Sequence, residues 1–438
     1  MNIKTKIKAV ALSALLCFFP AILFYSCSSG STMDYPEMYK GQVDGWIRRA
    51  NENPYDADAF KHLSIFYIQT HRNDTAQKYI NKALKLNPDD PEVLFYKGLN
   101  LEFSGKQAEA LEYYKKYTGI LNDSPYRDLM EGRYLWIKRQ EAYSDVDSLI
   151  KRENDLSLKN ISDSTMAVFP LIYEGINKDY VPLSRGFSEM VSIDLAKVKA
   201  LKILERIRIQ AVLNELKFGQ SSLVDQTTAP RMGKLLGAGT IVSGDYDVTD
   251  NGDFKIDLGS WDVKDSQRKS WVNKSGDLKD FFTLQKEIVF AFLQKNGIEL
   301  TQAEKEAIAQ VPTQNLQSFL SYSKGLMAED AGNFNNAASY FQRASELDPH
   351  FKAASEKQQT TQSMGKSSGS REQLVSNLRE EDPAIKGEEL NIVQDRSETV
   401  NNNVLSNFTG NEFNRSPAQD KKELNPTLPD PPPPPPLK

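Results

Sequence analysis

Apolar positions recur at two spacings along this chain, and the change of spacing divides it. Glu37 to Ala50 carries Trp46 and Ile47 at helical spacing and stops at Asn51 to Pro54. From Ala57 onward Phe60, Leu63, Tyr67, Ala76, Ile80 and Ala83 fall where two antiparallel helices would face each other. Beyond Lys151 to Asp163, which reads as a charged linker, strands appear. Ala167 to Leu171 reads as a buried strand. Leu183 to Val198 reads as a helix with Phe187, Met190, Val191, Ile193 and Leu195 clustered. A short apolar run, Leu201 to Leu204, ends at Glu205-Arg206, and a second helix follows with Ile209, Val212, Leu213 and Leu216 on one face. After the polar loop Gly219 to Asp225, Thr227 or Thr228 caps a third helix that stops at Gly237. Thr240 to Val248 and Phe254 to Val263 predict a hairpin in which Phe254, Ile256 and Leu258 alternate with Lys255 and Asp257, one face buried and one wet. Asn251-Gly252 supplies two positive-φ positions for its turn. A third strand lies around Ser270 to Asn273, and Leu278 to Lys295 closes the region as a long apolar helix.

The helical regions have a 34-residue period. In the first unit Phe60, Leu63, Tyr67, Ala76, Ile80, Ala83 and Pro88 stand at the signature places of a tetratricopeptide repeat, which the unit resembles, with Ser64 where Gly is usual. A second unit from Pro91 keeps Gly98, Gly105, Ala110 and Tyr114; a third, from Pro125, keeps Gly132 and then fades. A last unit from Ser318 has Gly325, Ala328, Gly332, Ala337, Phe341, Ala344 and Pro349 in register. Small residues at these places let two antiparallel helices touch, and the proline closes the second helix.

The order strand, Glu205-Arg206, helix, Leu223-Val224-Asp225 loop and Gly233-Lys234-Leu235-Leu236-Gly237-Ala238 resembles the domain shared by the curli-secretion CsgG family, the flagellar lipoprotein FlgO and the amino-terminal domain of TolB-like proteins. The resemblance covers roughly Ser164 to Leu300. It implies a three-layer-like α/β domain, assembly into a homo-oligomer through that domain, and a place in the cell envelope. The expected architecture is therefore α+β and multidomain: a tetratricopeptide domain at 37–150, the α/β domain at 164–303, a further repeat hairpin at 312–353, and a disordered tail at 354–438.

Composition changes the picture at the two ends. Lys4, Lys6 and Lys8 precede an apolar stretch, Ala9 to Phe24, of about 16 residues, short for a membrane span. It runs out at Phe24-Tyr25-Ser26-Cys27, followed by Ser28, Ser29 and Gly30, and resembles a bacterial lipoprotein signal (1–26) with Phe24 where Leu is usual; an ordinary cleaved signal or an uncleaved anchor is the alternative. Cys27 would then carry the lipid, and Ser28 rather than Asp after it implies the outer membrane, periplasmic face. Only Cys17 and Cys27 exist, so an exported chain starting at Cys27 has no internal disulfide. At the other end Gln, Ser, Asn and Lys dominate from Ala354, and Pro431 to Pro436 close the chain. That composition predicts disorder, with Arg371 to Arg379 long enough for a turn or two of helix, and makes the tail from about Lys357 dispensable for folding. A mean hydropathy of −0.53 fits exposed repeats plus such a tail.

Charge and chemistry mostly exclude. A net charge of −5 with scattered Lys and Arg argues against nucleic acid. His62, His71 and His350 are the only histidines, and the α/β region holds neither His nor Cys. Ser-His-Asp and Cys-His catalysis and His- or thiolate-bound zinc are excluded there. Gly233-Lys234 lacks the order of a phosphate loop, and Asp245, Asp247, Asp250 and Asp253 lack calcium-loop spacing. No enzyme, cofactor or metal is expected. By the repeat register the groove-facing positions are Lys61, Ile65, Ile68, Phe95, Leu99 and Glu102, an apolar surface suited to a helix or extended segment; packing on a neighbouring helix of the same chain is the alternative. The expected role is an envelope lipoprotein acting as a non-enzymatic protein-interaction and assembly platform, with a protein partner in the repeat groove. The alternative is a CsgG-like oligomeric secretion pore for extracellular fibre or polymer export.

Overall fold

The computed structural model describes residues 37–158, 161–216 and 228–381. Cys27 and the signal, Gly219 to Asp225, Thr227 and the chain from 382 onward lie outside them.

Among the described residues the first helices are α1 (Glu37–Glu52), α2 (Ala57–Gln69), α3 (Asn73–Leu86), α4 (Pro91–Phe103) and α5 (Gln107–Tyr114). Their starts are written locally. Asp56 accepts from the Ala59 amide at 2.9 Å, and Asp90 accepts from Glu92 and Val93 ahead of the first-turn proline Pro91. The signature apolar residues of the first unit, Phe60 to Ala83, are all buried. At Gly98 an added Cβ would stand 2.5 Å from the Tyr114 ring, and at Gly325 2.6 Å from Phe341, so both units close on the same glycine-under-aromatic contact.

The expected third repeat is instead one helix, α6 (Pro125–Lys151), of 27 residues. Its first half joins the repeat core through Met130 and Ile137, and Val146 in its second half joins a core of the next region. The segment expected as a linker is docked as well: Leu156 and Leu158 pack against that same core.

A mixed sheet follows, in the order β3-β1-β4-β5-β6. Its strands are β1 (Thr165–Val168), β2 (Ile172–Tyr173), β3 (Lys202–Ile203), β4 (Thr240–Val248), β5 (Asp253–Asp262) and β6 (Gln267–Asp277). β1 runs parallel to β3 and β4, and β2 continues along β4 with Ile172 opposite Asp245; β4, β5 and β6 are antiparallel. The strand expected at Ala167 to Leu171 is thus two short strands broken near Pro170. In the β4–β5 connection Gly252 alone takes a positive φ, +84°; Asn251 does not, because the loop is longer than the two-residue turn that needs both.

Helices cover both faces. Phe254, Ile256 and Leu258 share a core with α7 (Leu183–Ala196) and α10 (Phe281–Lys295). Ile241, Trp261 and Val263 share another with α8 (Arg206–Glu215), α9 (Ala229–Leu236) and Val146. After α11 (Gln302–Ala309) comes the last repeat hairpin, α12 (Leu316–Asp330) and α13 (Phe334–Leu347), which shares a core with the sheet. Phe319 of α12 lies 5.5 Å from Phe281 and 5.6 Å from Phe282, inside the core of the α/β domain.

The tail expected to be disordered from 354 begins with two helices, α14 (Lys352–Ser367) and α15 (Arg371–Glu381). α14 lies on α6, so close that a Cβ on Gly132 would overlap the carbonyl of Ser363. Ser363 bonds Glu131 at 3.2 Å, and Lys366 pairs with Asp128 at 2.6 Å. α15 returns to the start of the chain and packs against α2 and α4.

Truncation at Lys357 removes most of α14 and bares α6, so it lowers the thermal midpoint, contrary to what composition implies. Gly132→Ala, which forces α14 off α6, costs about 1–3 kcal/mol in denaturant unfolding. An unchanged midpoint in both would mean that the α6–α14 contact is not made.

Candidate functional site: the repeat groove and the acidic junction

Two places concentrate side chains that the fold alone does not require. The first is the concave wall formed by α2 and α4. Ile68, Phe95 and Leu99 have no exposed surface, and Ile65 keeps 8%. Phe95 has the rings of Tyr96 at 5.2 Å, Tyr126 at 6.0 Å and Tyr114 at 6.1 Å around it. Lys61 stands at the rim, 3.3 Å from Glu92 and 3.9 Å from Asp58. Burial works against its charge, but Glu92 and Asp90 more than restore it and hold its pKa above the ordinary lysine value. Glu102 is taken up from within: Arg133 donates to it from two nitrogens at 2.8 and 2.9 Å, and the Tyr114 hydroxyl at 2.7 Å.

The structure brings Ile65, Ile68, Phe95 and Leu99 together in one apolar cluster, and it also puts Leu374 and Val375 of α15 there. The groove therefore holds a helix, and that helix belongs to the same chain. Sequence reasoning missed Arg133, Arg371 and the stretch Leu374-Val375-x-x-Leu378 that complete the arrangement. The last carries a signal, apolar residues four apart on one helix face, that the polar composition around it masks.

The second place is the junction of α6, α7, α8, α12 and α14, where Glu329 and Asp330 end α12 almost buried. Arg206, at the start of α8, ion-pairs with both and lies 3.4 Å from Glu189. Arg185 of α7 reaches Asp330 at 2.9 Å, Lys357 of α14 reaches Glu329 at 3.0 Å, and Arg139 of α6 donates to the Asp330 carbonyl at 2.8 Å. Burial alone would raise the Glu329 pKa; Lys357 and Arg206 outweigh it and hold the carboxyl down at about 2. Burial lowers Arg185, with Asp330 offsetting part of the loss. An open cleft of about 730 Å³ adjoins the junction, lined in part by Trp136, Arg139, Tyr143, Arg185 and Asn214. Of its charged groups, Arg139, Arg185 and Asp330 are engaged in ion pairs and hydrogen bonds.

On the sheet, burial first and then Asp257 and Glu174 push Asp245 up to about 6. Its cross-strand neighbour Asp257 accepts from the Trp271 indole at 3.0 Å and pairs with Lys255 at 2.9 Å. Among the described residues no three His, Cys, Asp or Glu side chains are grouped to hold a metal ion.

A family model described as the curli production assembly/transport component CsgG matches residues 144–250, and two tetratricopeptide-repeat models match residues 67–125 and 320–351. The chain carries a CsgG domain between tetratricopeptide repeats. The CsgG match starts inside α6 and ends in the β4–β5 loop, so α6 serves the repeats with its first half and the CsgG domain with its second. No curated protein is detectably similar. Among solved structures, the LpoB C-terminal domain from Salmonella enterica is 11% identical at a TM-score of 0.21, covering 31% of this chain and 95% of that one. Yeast Tom70 is 15% identical at a TM-score of 0.19, covering 75% of this chain and 64% of that one.

The junction has a pH signature. The Glu329 carboxyl falls from an ordinary 4.5 to about 2 on folding, so it adds stability above pH 4.5 that is lost as pH drops toward 2. A shift of that size is worth on the order of 3 kcal/mol. Glu329→Gln should be less stable at pH 7, and the gap to the parent should close between pH 5 and pH 2 in urea unfolding. Parallel pH profiles would remove the ion pairs from the account.

Proposed function

We propose that this chain is an envelope-associated, non-enzymatic component that assembles other proteins. The observation that carries the reading is a CsgG domain fixed between tetratricopeptide repeats whose groove is built to hold a helix. Repeats of this kind supply a binding wall, and the CsgG domain supplies a rigid body to which α6 and α12 lock that wall. Cys27 is the lipid attachment point, which places the chain on the outer membrane facing the periplasm. Several acyl chains together give a stable anchor, whereas one alone is marginal. Self-association through the CsgG domain is part of the same reading.

The family description also supports a second reading, an oligomeric secretion pore. Against it stand the short connections between β4, β5 and β6, which leave no length for strands that continue into a bilayer. Asp245, Asp247, Lys255 and Asp257 on these strands would be costly toward lipid. Among the described residues no helix is long and apolar enough to cross a membrane, which says nothing about strands.

Cys27→Ser should shift the chain from the membrane to the soluble fraction or leave an unprocessed precursor; normal processing with full membrane retention would sink the anchor. In planar bilayers the purified chain should give no reproducible conductance. Uniform, stable channels would make the pore the first reading.

A further inference from the structure

The helix in the groove defines what the groove binds. α15 leaves α14 through Ser368 to Ser370, where Gly369 takes a φ of +101°, open to glycine and strained for other residues. Arg133, itself buried in the groove wall, donates to the carbonyls of Ser367 at 3.1 Å and Gly369 at 2.9 Å, and so marks where the seated helix begins. One turn on, Arg371 donates to the Glu102 carbonyl and lies over the Phe103 ring at 5.2 Å. Leu374 and Val375 then join the apolar core that also holds Ile65, Ile68, Phe95 and Leu99, with Leu378 packed against it, as α15 lies on α2 and α4. The seat thus reads a basic residue, an adjacent apolar pair three and four residues later, and a further apolar residue at seven.

α15 is also weakly held compared with its neighbour. It touches α2 and α4 over a short stretch, whereas α14 packs along both α6 and α13 and interlocks with Gly132. Local opening draws on segments of low contact density, so α15 can leave without unseating α14.

We propose that α15 is an internal occupant of the groove and that the partner in trans is an amphipathic helix with the same spacing, Arg-x-x-Leu-Val-x-x-Leu, which binds by displacing it. This rests on the platform reading and names the chemistry of its ligand. A short tether presents α15 to the groove at an effective concentration on the order of mM, so the intact chain binds such a helix more weakly than an opened one does. Weak or short-lived encounters are filtered out, and a partner held nearby on the same assembly is favoured.

The test uses a fluorescent peptide spanning residues 368–381 and two full-length chains, the parent and Leu374→Asp/Val375→Asp. By anisotropy the peptide should bind the double variant at least about tenfold more tightly than the parent. A peptide carrying the same two substitutions should bind neither. Equal affinity for the two chains, or no binding to a folded double variant, overturns the proposal. Should the variant fail to fold, hydrogen exchange on the parent decides. Amides of 371–381 should exchange faster than those of α14 and α4, and faster still with excess peptide. Exchange of α15 in step with α14 and indifferent to peptide overturns the proposal equally. Loss of displacement while Cys27-dependent membrane retention persists would remove this inference alone; soluble Cys27-intact chain that still binds peptide would remove only the envelope reading.

Discussion

The structure depends on a buried pair of adjacent carboxylates. Glu329 and Asp330 end α12, and cations from α7, α8 and α14, with Arg139 of α6 on the backbone, converge on them. Removing charges from water costs several kcal/mol per ion, which good geometry can offset but rarely exceeds. Against a well-packed apolar replacement the cluster gains little, yet losing one partner is costly, which makes it a strong source of orientation. Any sliding of α8 or α14 against α12 would strand a desolvated charge. Because α6 and α12 also share cores with the sheet domain, this one junction fixes the angle between both repeat regions and the body.

What the sequence reveals follows from how local each determinant is. The repeats are legible because their small and large residues recur within one hairpin, as Gly98 under Tyr114 and Gly325 under Phe341 do. The β4–β5 hairpin is legible because alternation and an Asn-Gly turn are read within about twenty residues. Arg206 is visible as a charge at a helix start, but Glu329 and Asp330 lie more than a hundred residues away and nothing near it announces them. α14 is hidden for a different reason. It packs with Thr361, Ser363 and Ser367 instead of leucines, and two of these hydroxyls bond back into their own helix, Thr361 to the Lys357 carbonyl at 2.6 Å and Ser367 to that of Ser363 at 2.8 Å. Composition counts such residues as polar, yet at a close helix–helix approach their small size is what fits.

The candidate groove was half legible. Register alone picks out Ile65, Ile68, Phe95 and Leu99 as a shared apolar surface, and they form one. What covers that surface depends on the path of the chain some 270 residues later, fixed by Arg133 and Arg371 through carbonyl groups that carry no sequence identity. Backbone acceptors are the same at every residue, so a contact made to them leaves no trace in the pattern of side chains.

The bond from Arg133 to Gly369 spans 236 residues, and that span sets an order of events. A chain made from its amino end presents the first repeats long before α15 exists. Their hairpins can close at once on local contacts, while the groove they form must wait through the whole of the sheet domain for its cover. In that interval an apolar wall faces water, the kind of surface that draws chaperones or drives aggregation. The last described helix to emerge is the one that shields the first surface to fold.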